Sequence, residues 1–248
     1  VTAQFSTSNR GPAARAARLA ASLTRPDVDL RGLLAPDVVS QGPRPLCVAF
    51  AVAGGHEATR SRPDVPPEPF APEAIWWYCS ERGQTGNDGM LLTDAATAVS
   101  DLGQPPLDHW PYNPALGSGT EPPPPTAGAP PWSTATIRQL RLAHDGVEDR
   151  VEDELAAGAP VILLVEVTEQ FAVPNDDGHV ELPDLRAQPG GYHAVLCVGA
   201  ATDPLRGRRL LIRNSWGEYW GLGGYCWLPM AYLVAFVPQA AVVELGVR

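Results

Sequence analysis

Between Gln104 and Trp132 the chain reads QPPLDHWPYNPALGSGTEPPPPTAGAPPW, with ten prolines in 29 residues. Proline has no N–H for a helix or a sheet ladder, so this stretch cannot be regular structure. It divides the sequence into halves of unlike pattern. Before it, apolar residues recur at helical intervals. After it come apolar runs rich in Val, Leu and Ile, separated by turns, which are strand signals. Helices followed by strands imply an α+β fold of two unlike lobes, with the boundary in the proline-rich crossing.

In the first half, small residues from Cys47 to about Ala58 suit a helix, with Pro45 just ahead of it and Gly54-Gly55 as an interruption. APEAIWWYCSERG reads as a helix with Pro72 in its first turn, Glu73 at the favourable end and Gly83 as the stop. MLLTDAATAVSDLG places Leu92, Ala95, Ala96 and Val99 on one face and ends at Gly103. In the second half, TIRQLRLAH suits a strand or a short helix, and GVEDRVEDELAAG a helix closed by Gly158. APVILLVEV, YHAVLCVGA, RRLLIRNSW, GGYCWLPM and AAVVELGV are expected strands. Residues 1–25 form a polar, Ala/Arg-rich arm, and residues 26–40 an extended lead-in.

At 248 residues with 44% hydrophobic content, the chain has enough material for a substantial core. Its net charge of −10 argues against nucleic acid as the partner. No apolar run reaches the roughly 20 residues of a membrane-spanning helix, and no secretory signal is visible. All 18 basic residues are arginine. Four cysteines (Cys47, Cys79, Cys197, Cys226) are too few for a disulfide scaffold and show no zinc-ligand spacing, so no metal or cofactor is expected. A cytoplasmic location is the default expectation, and the start at Val1 leaves an upstream segment open.

QGPRPLCVAFAVAGG sets Cys47 at a helix start, where the positive end of the helix dipole favours a thiolate. A nucleophile there needs a base. His56 lies nine residues along the same helix and faces away from its start. His144 and His179 sit in polar, turn-like contexts and are expected to be solvated, and His109 to pack beside Trp110. His193, in PGGYHAVLCVGA, begins an apolar strand after a glycine pair, a rigid support at a cleft edge. A lone strand histidine is ordinarily a satisfied core residue. IRNSWGEYWGLGGYCWLP changes that balance. Asn214 can accept from one ring N–H of His193 and fix its orientation, and Trp216 can shield that bond from water. Cysteine, histidine and asparagine are the three parts of an activated thiol.

Gln41-Gly followed by Cys47, His193-Ala-Val and Asn214-Ser-Trp-Gly, in that order, resemble the papain-like cysteine peptidases (family C1) in a prokaryotic-type version. VDLR (28–31), DGMLLTDA and LGQPPLDHWPYN add to the likeness, which covers roughly residues 26–237. It implies a two-lobe fold, with a helical lobe over about 45–118 and an antiparallel, β-barrel-like lobe over about 130–248 plus 26–40. The active-site cleft lies between them. It implies Cys47 as nucleophile, His193 as general acid/base, Asn214 as its orienting partner and Gln41 as oxyanion donor with the Cys47 N–H. Gly89, Met90, Leu91, Ala194 and Trp216 would line the substrate cleft, with a preference for a hydrophobic residue one position before the scissile residue. Met90 and Leu91 can equally be core.

The departures are local. Arg44 stands where the family commonly has a bridging cysteine, which suits a reducing compartment. Val48 replaces a tryptophan, and Pro45 and Leu46 replace small cleft residues. Cys79, Cys197 and Cys226 read as structural; the strands of Cys197 and Cys226 can be neighbours, which leaves a bridge between them open, with buried free thiols the favoured reading. The expected function is endopeptidase hydrolysis of a peptide or protein substrate through an acyl-thioester. Two alternatives stand beside it: an amide-forming acyltransferase or peptide ligase using the same site, and a non-catalytic binding relative. Residues 1–25 are short for the family's inhibitory propeptide, so the expectation is either an upstream segment or regulation by a protein partner or by genetic context.

Overall fold

The computed structural model describes residues 20, 24–141, 146–183 and 190–245. Most of the expected N-terminal arm, and His144, lie outside the described residues.

The first half builds α1 (Cys47–Arg60), α2 (Pro72–Ser80), a two-strand ribbon of β2 (Thr85–Gly86) and β3 (Gly89–Met90), and α3 (Leu92–Asp101). Gly83 and Gly103 end α2 and α3 at φ of 67° and 77°, where a side chain would be strained. The second half supplies β4 (Ala135–Leu140), α4 (Val147–Ala156), β5 (Val161–Glu166), the short α5 (Glu169–Ala172) and β6 (Tyr192–Asp203). It ends with β7 (Gly207–Arg213), β8 (Tyr225–Pro229), α6 (Met230–Phe236) and β9 (Gln239–Leu245). Within the segment TIRQLRLAH, the residues up to Leu140 form a strand, β4, and the last three lie outside the described residues.

The strands form one antiparallel sheet in the order β4-β9-β5-β6-β7-β8, with β1 (Val28–Asp29) added to β6. Among the described residues β4 and β8 do not pair, so the sheet is open and the barrel is not closed. Its two faces carry different cores. On β6, Ala194, Leu196 and Val198 point toward α1, while Val195, Cys197 and Ala200 point toward α4 and α6. Burial on both faces is why the sequence reads there as an unbroken apolar run.

Gly54 and Gly55, which interrupt the helical pattern, have a packing reason. A Cβ on Gly54 would lie 3.1 Å from Leu196, and one on Gly55 2.7 Å from Val243. The glycines let α1 lie directly on the sheet. The proline-rich crossing is held by tryptophans: Trp110 is buried with Ala71 and Ala74, and Trp77 and Trp132 pack around it.

All four cysteines are free thiols. The strands of Cys197 and Cys226 are not neighbours. In the register, Ile212 of β7 stands opposite both residues and separates them. Two strand spacings of about 4.8 Å exceed the Cα separation a disulfide tolerates.

Candidate active site

Cys47 is the first residue of α1, and its helix start has no side-chain cap. The N–H groups left without intrahelical partners are therefore available at the sulfur. Burial pushes the Cys47 thiol up, while the backbone N–H groups of Ala194, Val48 and Cys47 itself pull it down. Ala194 comes from the facing β6, and its neighbour is His193.

His193 is buried, and its Nε2 lies 2.6 Å from Asn214 Oδ1. The Asn oxygen has no proton, so the ring donates, which leaves Nδ1 to act as the base. Trp216 stacks obliquely over the imidazole at 4.7 Å between centroids and keeps water from this bond. Burial lowers the imidazole to about 4, and the Asn214 bond opposes that shift. Oδ1 of Asn214 also accepts the Ser215 N–H at 2.8 Å, while its buried Nδ2 has no partner among the described residues.

Gln41 is buried where the two lobes meet. Its N–H donates to Ser215 O at 2.7 Å, and Ser40 bridges Trp216 beside it. Its side-chain oxygen accepts from Ser215 Oγ at 2.6 Å, and its Nε2 donates to Arg44 O at 2.7 Å. A primary amide has two N–H groups, so one remains for another acceptor.

The structure thus brings Gln41, Cys47, His193, Asn214 and Trp216 to one seam. Gly89 joins them: at φ 102°, its Cβ position lies 3.2 Å from the carbonyl of Pro45, two residues before Cys47. Met90 and Ala194 are buried in the core shared with α1, whereas Leu91 is 67% exposed. Two residues outside the sequence expectation complete the site: Ser215, whose hydroxyl fixes Gln41, and Phe171, whose ring packs on Trp216 and Trp220 behind His193. The NSW run contained the first signal. The second had none, because α5 follows an apolar strand without a marked break.

The other histidines are placed as follows. His56 is buried, stacks on Phe70 at 4.1 Å and pairs with Gln104 Oε1 at 3.1 Å. His179 is buried rather than solvated: it bridges β8 at Trp227 and its ring lies over that indole. His109 does not pack as expected. Its side chain is half exposed while Trp110 beside it turns inward.

A helix carrying a thiol, a sheet carrying an imidazole and a seam between them define the papain-like α+β fold. Xylellain, a cysteine protease from Xylella fastidiosa, superposes with a TM-score of 0.69 at 26% identity, over 92% of this chain and 89% of that one. Bromelain from Ananas comosus, solved with the E64 inhibitor, gives 0.69 at 17% identity over 90% and 100%. The papain family cysteine protease profile matches residues 45–234, and the chain belongs to that family. Among curated relatives, an uncharacterized peptidase C1-like protein of Acanthamoeba polyphaga mimivirus is 24% identical over 79% of this chain and 65% of its own length. A cathepsin L-like proteinase of Fasciola hepatica is 24% identical over 76% and 55%. The chain therefore spans a little over half to about two thirds of the length of these relatives.

Among the described residues, no helix is long and apolar enough to cross a membrane. In the same residues, no group of three or more His, Cys, Asp or Glu is placed to hold a metal.

Proposed function

We propose that this chain is a cysteine endopeptidase. Cys47 attacks the peptide carbonyl, its proton passes to His193, and the developing oxyanion meets the free Gln41 N–H and the Cys47 N–H. His193 then gives its proton to the departing amine. Water, deprotonated by His193, hydrolyses the acyl-thioester. The observation that carries this reading is the shielded 2.6 Å bond from His193 to Asn214, one residue from the Ala194 N–H that faces the thiol.

Burial alone disfavours either charge, since it raises the thiol and lowers the imidazole. Proton transfer creates both charges together, and each then stabilises the other in a medium of low dielectric. The N–H groups at the sulfur and the Asn214 oxygen act in the same direction. The backbone of Gly89 and the exposed Leu91 line the substrate path, Met90 and Ala194 form its buried floor, and Trp216 covers the far side of the imidazole.

The catalytic unit runs from about residue 26, with a helical lobe over about 45–118 and the sheet lobe over about 130–248 plus 26–40. Its partner is a peptide or protein chain, taken as substrate. Acyl transfer to an amine is the second reading, favoured by one observation: a sequence without lysine offers no ε-amine of its own to capture the acyl group.

Intact mass after brief E-64 treatment tests the site. One adduct on Cys47 in the wild type, absent in His193→Ala, is the expected result. No adduct on folded wild type refutes it. Product masses with and without an added amine separate hydrolysis from transfer.

A further inference from the structure

The side chain of Arg44 is fully buried, and its partner Glu73 on α2 is 1% exposed. A guanidinium has five N–H donors, and here all five are engaged. Nη1 and Nη2 hold the two carboxylate oxygens of Glu73, a two-pronged pairing. The remaining donors reach Gly117 O at 2.8 Å, Asn113 O at 2.9 Å and Gly119 O at 3.0 Å. Glu73 also accepts the Asn113 N–H at 3.2 Å. One ion pair therefore ties α2, the loop 113–119 and the turn 41–46 together.

That turn carries the amide to which the oxyanion role falls. The Arg44 carbonyl accepts from Gln41 Nε2 at 2.7 Å. The Tyr112 ring stacks on the guanidinium at 5.1 Å, and its hydroxyl donates to the Gln41 carbonyl at 2.6 Å. Ser215 holds the other end of the amide from the sheet lobe. The Gln41 amide plane is thus clamped between Ser215 on one lobe and Arg44 on the other, which aims its remaining N–H. Arg44 touches neither the thiol nor the imidazole in any of these contacts.

We propose that the buried Arg44–Glu73 pair, with Tyr112, is a positioning device for the Gln41 oxyanion donor, acting on the acylation step and not on the thiol. This rests on the peptidase reading above. Arg44 and Glu73 are positioning residues: they act through the backbone of the turn.

The test compares Arg44→Met/Glu73→Gln, which removes both charges together so that neither is left buried alone, with Gln41→Ala and the triple variant. Three quantities are measured: kcat and KM on a fluorogenic peptide, and the rate of Cys47 alkylation by iodoacetamide, a reaction that forms no oxyanion. The expected result for the double variant is a fall in kcat of about 30- to 100-fold, up to the lower edge of the roughly 100- to 1,000-fold that loss of one oxyanion donor costs, because the donor is misaimed and not removed, with KM and alkylation changed by less than about threefold. Adding Gln41→Ala should lower kcat by no more than about threefold further, because the same donor is already out of aim. Arg44→Lys, which keeps the charge and loses the fork, should rescue kcat only in part.

Tyr112→Phe removes a single hydroxyl and serves if the double variant does not fold. It should lower kcat about three- to tenfold and show the same lack of additivity with Gln41→Ala. Full kcat in a folded variant, an equal fall in alkylation, or effects that multiply with Gln41→Ala would each overturn the proposal. Wild type that is alkylated at Cys47 but cleaves no peptide refutes the peptidase reading instead, and the positioning role falls with it.

Discussion

Replacing Asn214 by alanine removes the one acceptor of the His193 Nε2–H bond, now 2.6 Å long and buried under Trp216. A buried donor left without a partner costs about 1–3 kcal/mol. At 1.36 kcal/mol per tenfold, that is roughly a 5- to 150-fold loss in kcat/KM if the cost falls on the charged imidazole of the reacting state. The sign follows from the bond itself. It opposes the burial that lowers His193 to about 4, so its loss lowers the imidazole further. Fewer sites then hold the thiolate–imidazolium pair, and Cys47 alkylation should slow together with hydrolysis. Asn214→Asp supplies the control. It keeps the accepting oxygen, and the replaced Nδ2 makes no hydrogen bond among the described residues. The Asp variant should therefore stay within about tenfold of wild type, because one hydrogen bond is kept and only the charge changes. The assay is kcat/KM on a fluorogenic peptide across pH, with alkylation rates in parallel. An alanine variant as active as wild type, or an Asp variant as poor as alanine, would refute the reasoning.

His56 should make stability fall with acid. Burial lowers its ring to about 4 from the usual 6.5, so the unfolded chain binds a proton that the folded one refuses. Its contribution is complete above about pH 6.5 and is lost as pH falls toward 4, at a cost of about 3 kcal/mol. Denaturant midpoints from pH 7 to 4 should therefore drop more steeply for wild type than for His56→Gln, and parallel slopes would count against this. Thiol titration should find one accessible cysteine in the native state and four after unfolding. Burial holds Cys79 and Cys197 up to about 12 and raises Cys226 as well, while Cys47 alone is half-buried. A second thiol reacting at the native rate would contradict the packing.

Elements whose signal is local were legible in the sequence. Helix α1 announces itself by Pro45 and a run of small residues, and α2 and α3 by glycines that must adopt positive φ at their ends. Strands β5 and β6 are legible because burial on both faces leaves only apolar or small residues along their central stretches, 161–165 and 194–200. Short apolar elements are not. MAYLVAF forms α6 directly after a strand, and seven apolar residues fit either period, so only packing against Leu155 and Phe171 within one core decides. Histidine environments are hidden from the sequence for a related reason. His179 lies in a polar stretch, yet the backbone bond from Trp227 N to Gly178 O draws that stretch onto β8 and covers the ring.

The sequence by itself determined which groups are available: a thiol at a helix start, an imidazole leading a strand, an amide before a tryptophan, and a second amide upstream. Chain order and residue type suffice for that. Tertiary structure decided what holds them. Strand order put Ile212 between Cys197 and Cys226, and the approach of α1 to the sheet required two glycines. Folding also brought Arg44 to Glu73, 29 residues away, and Gln41 to Ser215, 174 residues away. Contacts of that separation leave no local pattern, because they depend on where the chain returns and not on what precedes it.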